Sequence, residues 1–247
     1  MADHGQAAYA VRFEWGPTGA AAIGADADIA VVVDVLSFTT TLTVAMERGM
    51  TVYPYRWKDA RAAQFAAERD AVLAVDRRAA DAGGVSLSPA AMATVEGVDR
   101  VVLPSPNGSS ICFGLAESGL TVVGACLRNR SAVARWLAPR LAAGERVAVV
   151  AAGERWPDGS LRPGVEDLWG AGAVLAALDL SRASPEAVQA AGAFESVRTR
   201  LPEHLRVCSS GAELVSAGFG RDLDIAALVD VCDELPVLRE GKFAGTK

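Results

Sequence analysis

Four apolar runs in this chain each end in a short loop of small, polar or acidic residues, and a helical pattern follows each loop. The runs are residues 29–33, 101–103, 122–126 and 147–152. The first leads into Asp34-Val35-Leu36-Ser37-Phe38-Thr39-Thr40 and the second into Pro104-Ser105-Pro106-Asn107-Gly108-Ser109-Ser110. The third leads into Leu127-Arg128-Asn129-Arg130-Ser131. The fourth leads into Gly153-Glu154 and a longer loop before Glu166-Asp167. Short valine-rich runs read as buried strands. Their alternation with helices implies βαβ units and a mainly parallel sheet covered by helices on both faces. Open α/β sheets bind ligands at the carboxyl ends of their strands. The pattern therefore places the chemistry along one edge of one sheet.

Around these runs, residues 9–15 read as a first strand and 16–25 as a Gly/Ala-rich connector. A helix over 40–48 stops at Gly49. Residues 51–55 and 71–75 read as strands, with helical spacing over 58–69 between them. Residues 76–98 are mixed, punctuated by Gly83-Gly84 and Ser88-Pro89. Strands at 100–103, 121–125 and 146–151 then alternate with helices at 111–118, 131–141 and 165–178. Residues 184–228 are helical in pattern, and Pro236 begins an irregular tail. No linker forces a split, so residues 1–247 read as one α/β domain with a helical C-terminal portion from about residue 184.

Composition narrows the function. Hydrophobic residues make up 51% and charged residues 22%, which is a globular balance. The net charge is −6, with no block of Lys or Arg, so nucleic acid and anionic membranes are not the expected partners. The apolar stretch 29–46 is interrupted by Asp34 and several threonines and does not read as a membrane span. The first residues carry acid and lack a basic, apolar leader, so a cytoplasmic location is expected. Cys112, Cys126, Cys208 and Cys232 form no Cys-x-x-Cys pair and read as buried small hydrophobes. Only His4 and His204 are present, which removes a His-rich zinc site and a Ser-His-Asp triad. Any metal would be held by oxygen, which suits Mg²⁺. There is no phosphate-binding Gly-x-x-x-x-Gly-Lys loop, and Gly170-Ala171-Gly172 lies inside a helical stretch.

The strand-end loops supply the candidate residues. Asp34 ends an apolar strand and precedes a helix start containing Thr39 and Thr40. An acid there can ligate a metal or attack phosphorus, while hydroxyls and free N–H groups hold a phosphate. The competing reading is a helix cap with packed threonines. An aspartyl-phosphate phosphatase of the haloacid dehalogenase type needs a second Asp at position 36, which is leucine. Asn107-Gly108-Ser109 reads as an anion cradle or as a plain turn. Arg128, Asn129 and Arg130 offer anion binding or solvated surface. Cys126 cannot head a Cys-x5-Arg phosphatase loop, because position 132 is alanine. Glu166 and Asp167 open a helix, and adjacent acids there point about 100° apart, so one of them can join Asp34 at an ion. Glu154 is a further acid directly after a strand.

Asp34-Val35-Leu36, Asn107-Gly108-Ser109 and the series Ala152-Gly153-Glu154, Glu166-Asp167, Gly170-Ala171-Gly172-Ala173 resemble the 2-phosphosulfolactate phosphatases. The closing Val229-Asp230 and Leu235-Pro236-Val237-Leu238-Arg239 also look like that family. The resemblance runs in order from about residue 28 to 241. It implies a three-layer α/β/α sandwich with a mainly parallel, mixed sheet. It also implies a Mg²⁺-dependent phosphatase acting on a small sulfonated hydroxy acid, a step associated with coenzyme M synthesis. Three positions depart from the family pattern. Ser37 stands in place of Arg, Val75-Asp76-Arg77 in place of Gly-Glu-Arg, and Leu87 in place of Asn.

The expected site follows. Asp34 with Glu166 or Asp167 holds Mg²⁺. Thr39, Thr40, Asn107, Gly108 and Ser109 cradle the phosphate, and Arg77 and Arg128 neutralise it with Asn129 alongside. Asp34, Glu154 and Asp230 are the expected catalytic acids, with the nucleophile either water or a carboxylate. The expected partner is a small anionic phosphoester, with homo-oligomer formation left open. The alternative is a non-catalytic small-anion binding protein on the same fold.

Overall fold

The computed structural model describes residues 4–56, 59–78, 80 and 84–245. β1 (Val11–Trp15) runs into α1 (Gly16–Gly24), and β2 (Ile29–Val33) is followed by α2 (Phe38–Glu47). β3 (Thr51–Arg56), α3 (Ala62–Ala67), β4 (Val72–Leu73) and α4 (Pro89–Met92) precede β5 (Arg100–Ser105) and α5 (Gly108–Leu115). Next come β6 (Thr121–Ala125), α6 (Arg130–Ala142) and β7 (Val147–Ala151). A hairpin of β8 (Glu154–Arg155) and β9 (Leu161–Arg162) leads to α7 (Val165–Leu175). Then follow α8 (Pro185–Val197), α9 (Leu201–Val207), α10 (Ser209–Ser216) and α11 (Gly220–Ala226), and finally β10 (Leu238–Arg239) and β11 (Lys242–Phe243).

The architecture is three-layer α/β/α with mainly parallel strands, but the strands divide between two sheets where the sequence suggests one. One sheet is all parallel, in the order β1-β7-β2-β6. The other has the order β10-β11-β3-β5-β4, with β3, β5 and β4 parallel and β11 antiparallel to β3. The reason lies in α2, whose residues from Phe38 to Met46 are all buried. A helix that is buried all round cannot lie on the outside of a single sheet. It needs cover on both sides, and the two sheets provide it.

Side chains alternate across β2 accordingly. Val31 and Val33 face a core shared with Val149, Trp169 and Phe194, under α7 and α8. Ala30 and Val32 face a second core containing Phe38 and Leu42 of α2, Ile111 of α5, and Val52 and Leu103 of the other sheet.

Several local expectations change. Residues 16–25 are helix α1 rather than a connector, since Pro17 sits in the first turn and alanines follow it. The tail after Pro236 forms the β10–β11 hairpin, in which Phe243 pairs with Val52. The strand expected over 71–75 shortens to Val72–Leu73, with a separate bridge from Val75 to Ser86. The helix expected over 58–69 spans Ala62–Ala67, and Lys58 lies outside the described residues, as do Gly83 and the first three residues. The four cysteines are free and buried. Among the described residues no helix is long and apolar enough to cross a membrane.

Gly170 and Gly172 allow α7 to pack tightly between β2 and α8. A side chain at Gly170 would collide with Val33 and Val35, and one at Gly172 with the carbonyl oxygen of Ala190. Gly172→Ala is expected to cost about 1–3 kcal/mol by overpacking. Gly192→Ala on α8, where an added methyl meets nothing, is expected to stabilise by up to about 1 kcal/mol. Urea denaturation of the two variants should show shifts of opposite sign.

Candidate active site

The carboxyl ends of β2, β5 and β7 bring Asp34, Asn107 and Glu154 to one cavity of about 420 Å³. The site therefore sits between the ends of two sheets rather than along the edge of one. Its remaining wall comes from Arg77, in the irregular segment after β4, and from Ser210, Leu214 and Phe219 of the C-terminal helices and the turn joining them.

Asp34 is held by two helix starts at once. The first backbone N–H of α2, from Phe38, donates to Oδ1 at 3.1 Å, and the first of α5, from Gly108, donates to Oδ2 at 2.8 Å. Only glycine fits at position 108, because a Cβ there would lie 2.6 Å from the Cβ of Asp34. Burial raises the carboxyl above its ordinary range; the two amides oppose this, Glu166 adds to it, and Arg77 opposes it.

The other acids divide by role. Asp167 accepts from Val35 N at 2.7 Å and from Gly153 N at 2.8 Å, which ties the end of β2 to the end of β7. Burial, then Asp34 and Glu166, hold it well above the usual carboxylate range. Glu166 is buried and turned toward Cys208, whose Sγ lies 3.7 Å from Oε2. Burial and then Glu166 contribute to raising that thiol to about 11. Glu154 accepts from Asn107 Nδ2 at 2.9 Å. Burial first, then Asp34 and Glu166, push its carboxyl up to about 7.

Arg77 is the cavity's best-anchored cation. Its Nε donates to Asp222 Oδ2 at 3.1 Å, and Nη2 donates to Ser37 Oγ at 2.5 Å and to the Leu87 carbonyl at 2.8 Å. The ring of Phe219 lies 5.7 Å from the guanidinium carbon. Asp222 was not singled out by sequence. Within the helical stretch 184–228 it looks like any acid, and only its burial sets it apart.

Six of the side chains expected to bind substrate or support catalysis do not reach the cavity. Thr39 Oγ1 donates to the Asp34 carbonyl at 2.7 Å and Thr40 Oγ1 to the Val35 carbonyl at 2.8 Å, as hydroxyls in a first helical turn readily do. Ser109 Oγ accepts from Tyr55 N at 2.8 Å and sits against the carbonyls of Leu103 and Tyr55, fastening α5 to β3 and β5. Arg128 pairs with Glu47 and with Thr43 Oγ1 beside a separate, smaller cavity. Asn129 Oδ1 accepts from Cys126 N, and its amide donates to the carbonyls of Gly124 and Glu234. Asp230 accepts from Arg130 Nε and Ser131 N at the start of α6.

The expected ion ligands, Asp34 with Glu166 or Asp167, lie near enough for their charges to act on one another. Among the described residues no three His, Cys, Asp or Glu side chains are arranged to hold a metal ion. Both oxygens of Asp167 serve loop amides, as both of Asp34 serve helix amides; the two differ in that Asp34 lines the cavity, whereas Asp167 and Glu166 do not. The acids that do line it, Asp34 and Glu154 on its inner wall with Asp76 and Glu213 at its rim, are hard oxygen donors.

A family model described as 2-phosphosulpholactate phosphatase matches residues 21–241. The protein named "Probable 2-phosphosulfolactate phosphatase" of Deinococcus radiodurans is 31% identical over 230 residues, covering 87% of this chain and 89% of that one. A protein of the same name from Thermus thermophilus is 31% identical over 219 residues, covering 86% and 88%. The 2-phosphosulfolactate phosphatase of Methanothermobacter thermautotrophicus is 28% identical over 221 residues, covering 87% and 88%.

The raised carboxyl of Glu154 makes stability depend on pH. Its folded pKa of about 7 exceeds the ordinary 4.5, so folding takes up a proton between these values. Its contribution is complete below about pH 4.5 and is lost as pH rises through 7, on the order of 2–3 kcal/mol. Urea midpoints at pH 5 and pH 8 should differ less in Glu154→Gln than in the parent.

Proposed function

The chain belongs to the 2-phosphosulpholactate phosphatase family and is a phosphoric monoester hydrolase; on that premise we propose that it hydrolyses 2-phosphosulfolactate to sulfolactate and phosphate, with Mg²⁺ as cofactor. One observation carries the reading. A pinned guanidinium, a carboxylate bound by two helix starts and a carboxyl poised near neutrality all line one cavity.

Arg77 neutralises the phosphate, and Asn107 orients Glu154 through its amide. Water forms the new bond to phosphorus as the ester P–O bond breaks. Glu154 gives its proton to the departing alkoxide oxygen. The water leaves one proton on the phosphate, and its other proton restores Glu154. An acid titrating near 7 suits this task at neutral pH. Mg²⁺ fits the donor chemistry. Asp34 would hold it, since this ion usually takes one or two carboxylates together with waters and phosphate oxygens. When bound it supplies neutralisation of charge on the phosphoryl oxygens.

The test is phosphate release from 2-phosphosulfolactate and from a panel of small phosphoesters, with Mg²⁺ or with a chelator. Release from 2-phosphosulfolactate that requires Mg²⁺ is expected, and no release from any ester would overturn the reading. Glu154→Gln should lose about 10²–10⁴-fold in kcat. The parent's activity is expected to fall above about pH 7, and Glu154→Gln should lose that fall.

A further inference from the structure

We propose that Asp222 is a positioning residue that fixes the orientation of Arg77 and thereby sets the cavity's affinity for a phosphoryl group. The proposal rests on the reading that this cavity takes a phosphoester. Arg77 lies between β4 and α4, in a segment without regular structure, so nothing in the local backbone restrains a long side chain. Restraint comes from α11 instead.

Asp222 is 1% exposed, and its only ion-pair partner among the described residues is Arg77. Its Oδ2 takes Arg77 Nε, while Oδ1 accepts from Ser88 Oγ at 2.5 Å and Ala90 N at 3.1 Å. A swing of the guanidinium into solvent would strand a buried carboxylate, which is strongly unfavourable. Phe219, one helical turn before Asp222, backs the same guanidinium.

A guanidinium carries five N–H donors. Asp222 takes the one on Nε, and Ser37 and Leu87 take the two on Nη2. No described residue takes the two on Nη1. The pinning therefore selects which edge of the fork faces a ligand, and it removes the ordering cost that a free arginine would bear on binding. Such an effect changes binding of substrate and transition state alike, so it belongs in KM and not in kcat.

Asp222→Asn keeps shape and removes the charge. It should raise KM for the phosphoester, and weaken inorganic phosphate measured by calorimetry, by about tenfold, with kcat changed by less than about twofold. In an Arg77→Met background the same substitution should change neither constant further, because the two residues act as one. Ser88→Ala loosens the same buried network without touching Arg77. It should lower stability and leave phosphate affinity as it was.

Equal losses from Asp222→Asn with and without Arg77 would overturn the proposal, as would unchanged phosphate affinity. If Asp222→Asn is not recovered folded, Ser37→Ala serves instead. It should weaken phosphate in the parent and have no effect in Arg77→Met, and any other pattern counts against positioning. Because phosphate binding needs no turnover, the two readings separate. Arg77-dependent binding without hydrolysis of any ester would sink the phosphatase reading alone. Hydrolysis with phosphate affinity indifferent to Asp222 would sink the positioning alone.

Discussion

The meeting of two helix N-termini on the carboxylate of Asp34 is the constraint that the rest of the site depends on. α2 continues from a strand of the all-parallel sheet and α5 from a strand of the mixed sheet, so one side chain bonds the carboxyl ends of both. Asp167 makes the corresponding link between β2 and β7. Each acid satisfies amides that would otherwise be orphaned at helix or strand ends. With the two sheets fastened at this point, the cavity between them has a fixed inner wall. Only its outer side, from the segment after β4 and the C-terminal helices, is left to be positioned by longer-range contacts.

The same arrangement concentrates negative charge. Burial raises the carboxyl groups of Asp34, Glu154 and Asp167; Glu166 adds to all three, and Asp34 adds to the other two. Backbone amides offset part of that cost for Asp34 and Asp167. Glu154 has only the Asn107 amide, and its carboxyl is pushed up to about 7 at the cavity wall. Three chemically similar side chains thus take different parts: one is anchored at the cavity wall, one ties loops together, and one is available to exchange a proton. The division follows from where each one's amide partners lie: at two helix starts, at two strand ends, or on a neighbouring side chain.

Much of this was legible in the chain. The strand at 121–125 is where the pattern puts it, and Asp34, Asn107 and Glu154 converge because each follows the carboxyl end of a strand. What pattern alone missed depends on direction and distance. Thr39, Thr40 and Ser109 carry hydroxyls suited to an anion, yet backbone carbonyls closer at hand claim them. Arg128 and Arg77 look equivalent in sequence, but Glu47 takes one away from the cavity and Asp222 holds the other in it. Asp222 lies 145 residues from its partner, and no local signal could join them. The division into two sheets follows from the burial of α2 on every side, which hydrophobic spacing along α2 does not reveal.

The pairing of Phe243 with Val52 bears on how the chain is made. β3 emerges early in synthesis, but its partner on that side, β11, is among the later segments to leave the ribosome. β1 waits in the same way for β7. Until then both strands expose unpaired edges, which are templates for wrong association. A nascent chain halted before residue 243 would still lack that cover on β3, even with every cavity-lining residue already translated.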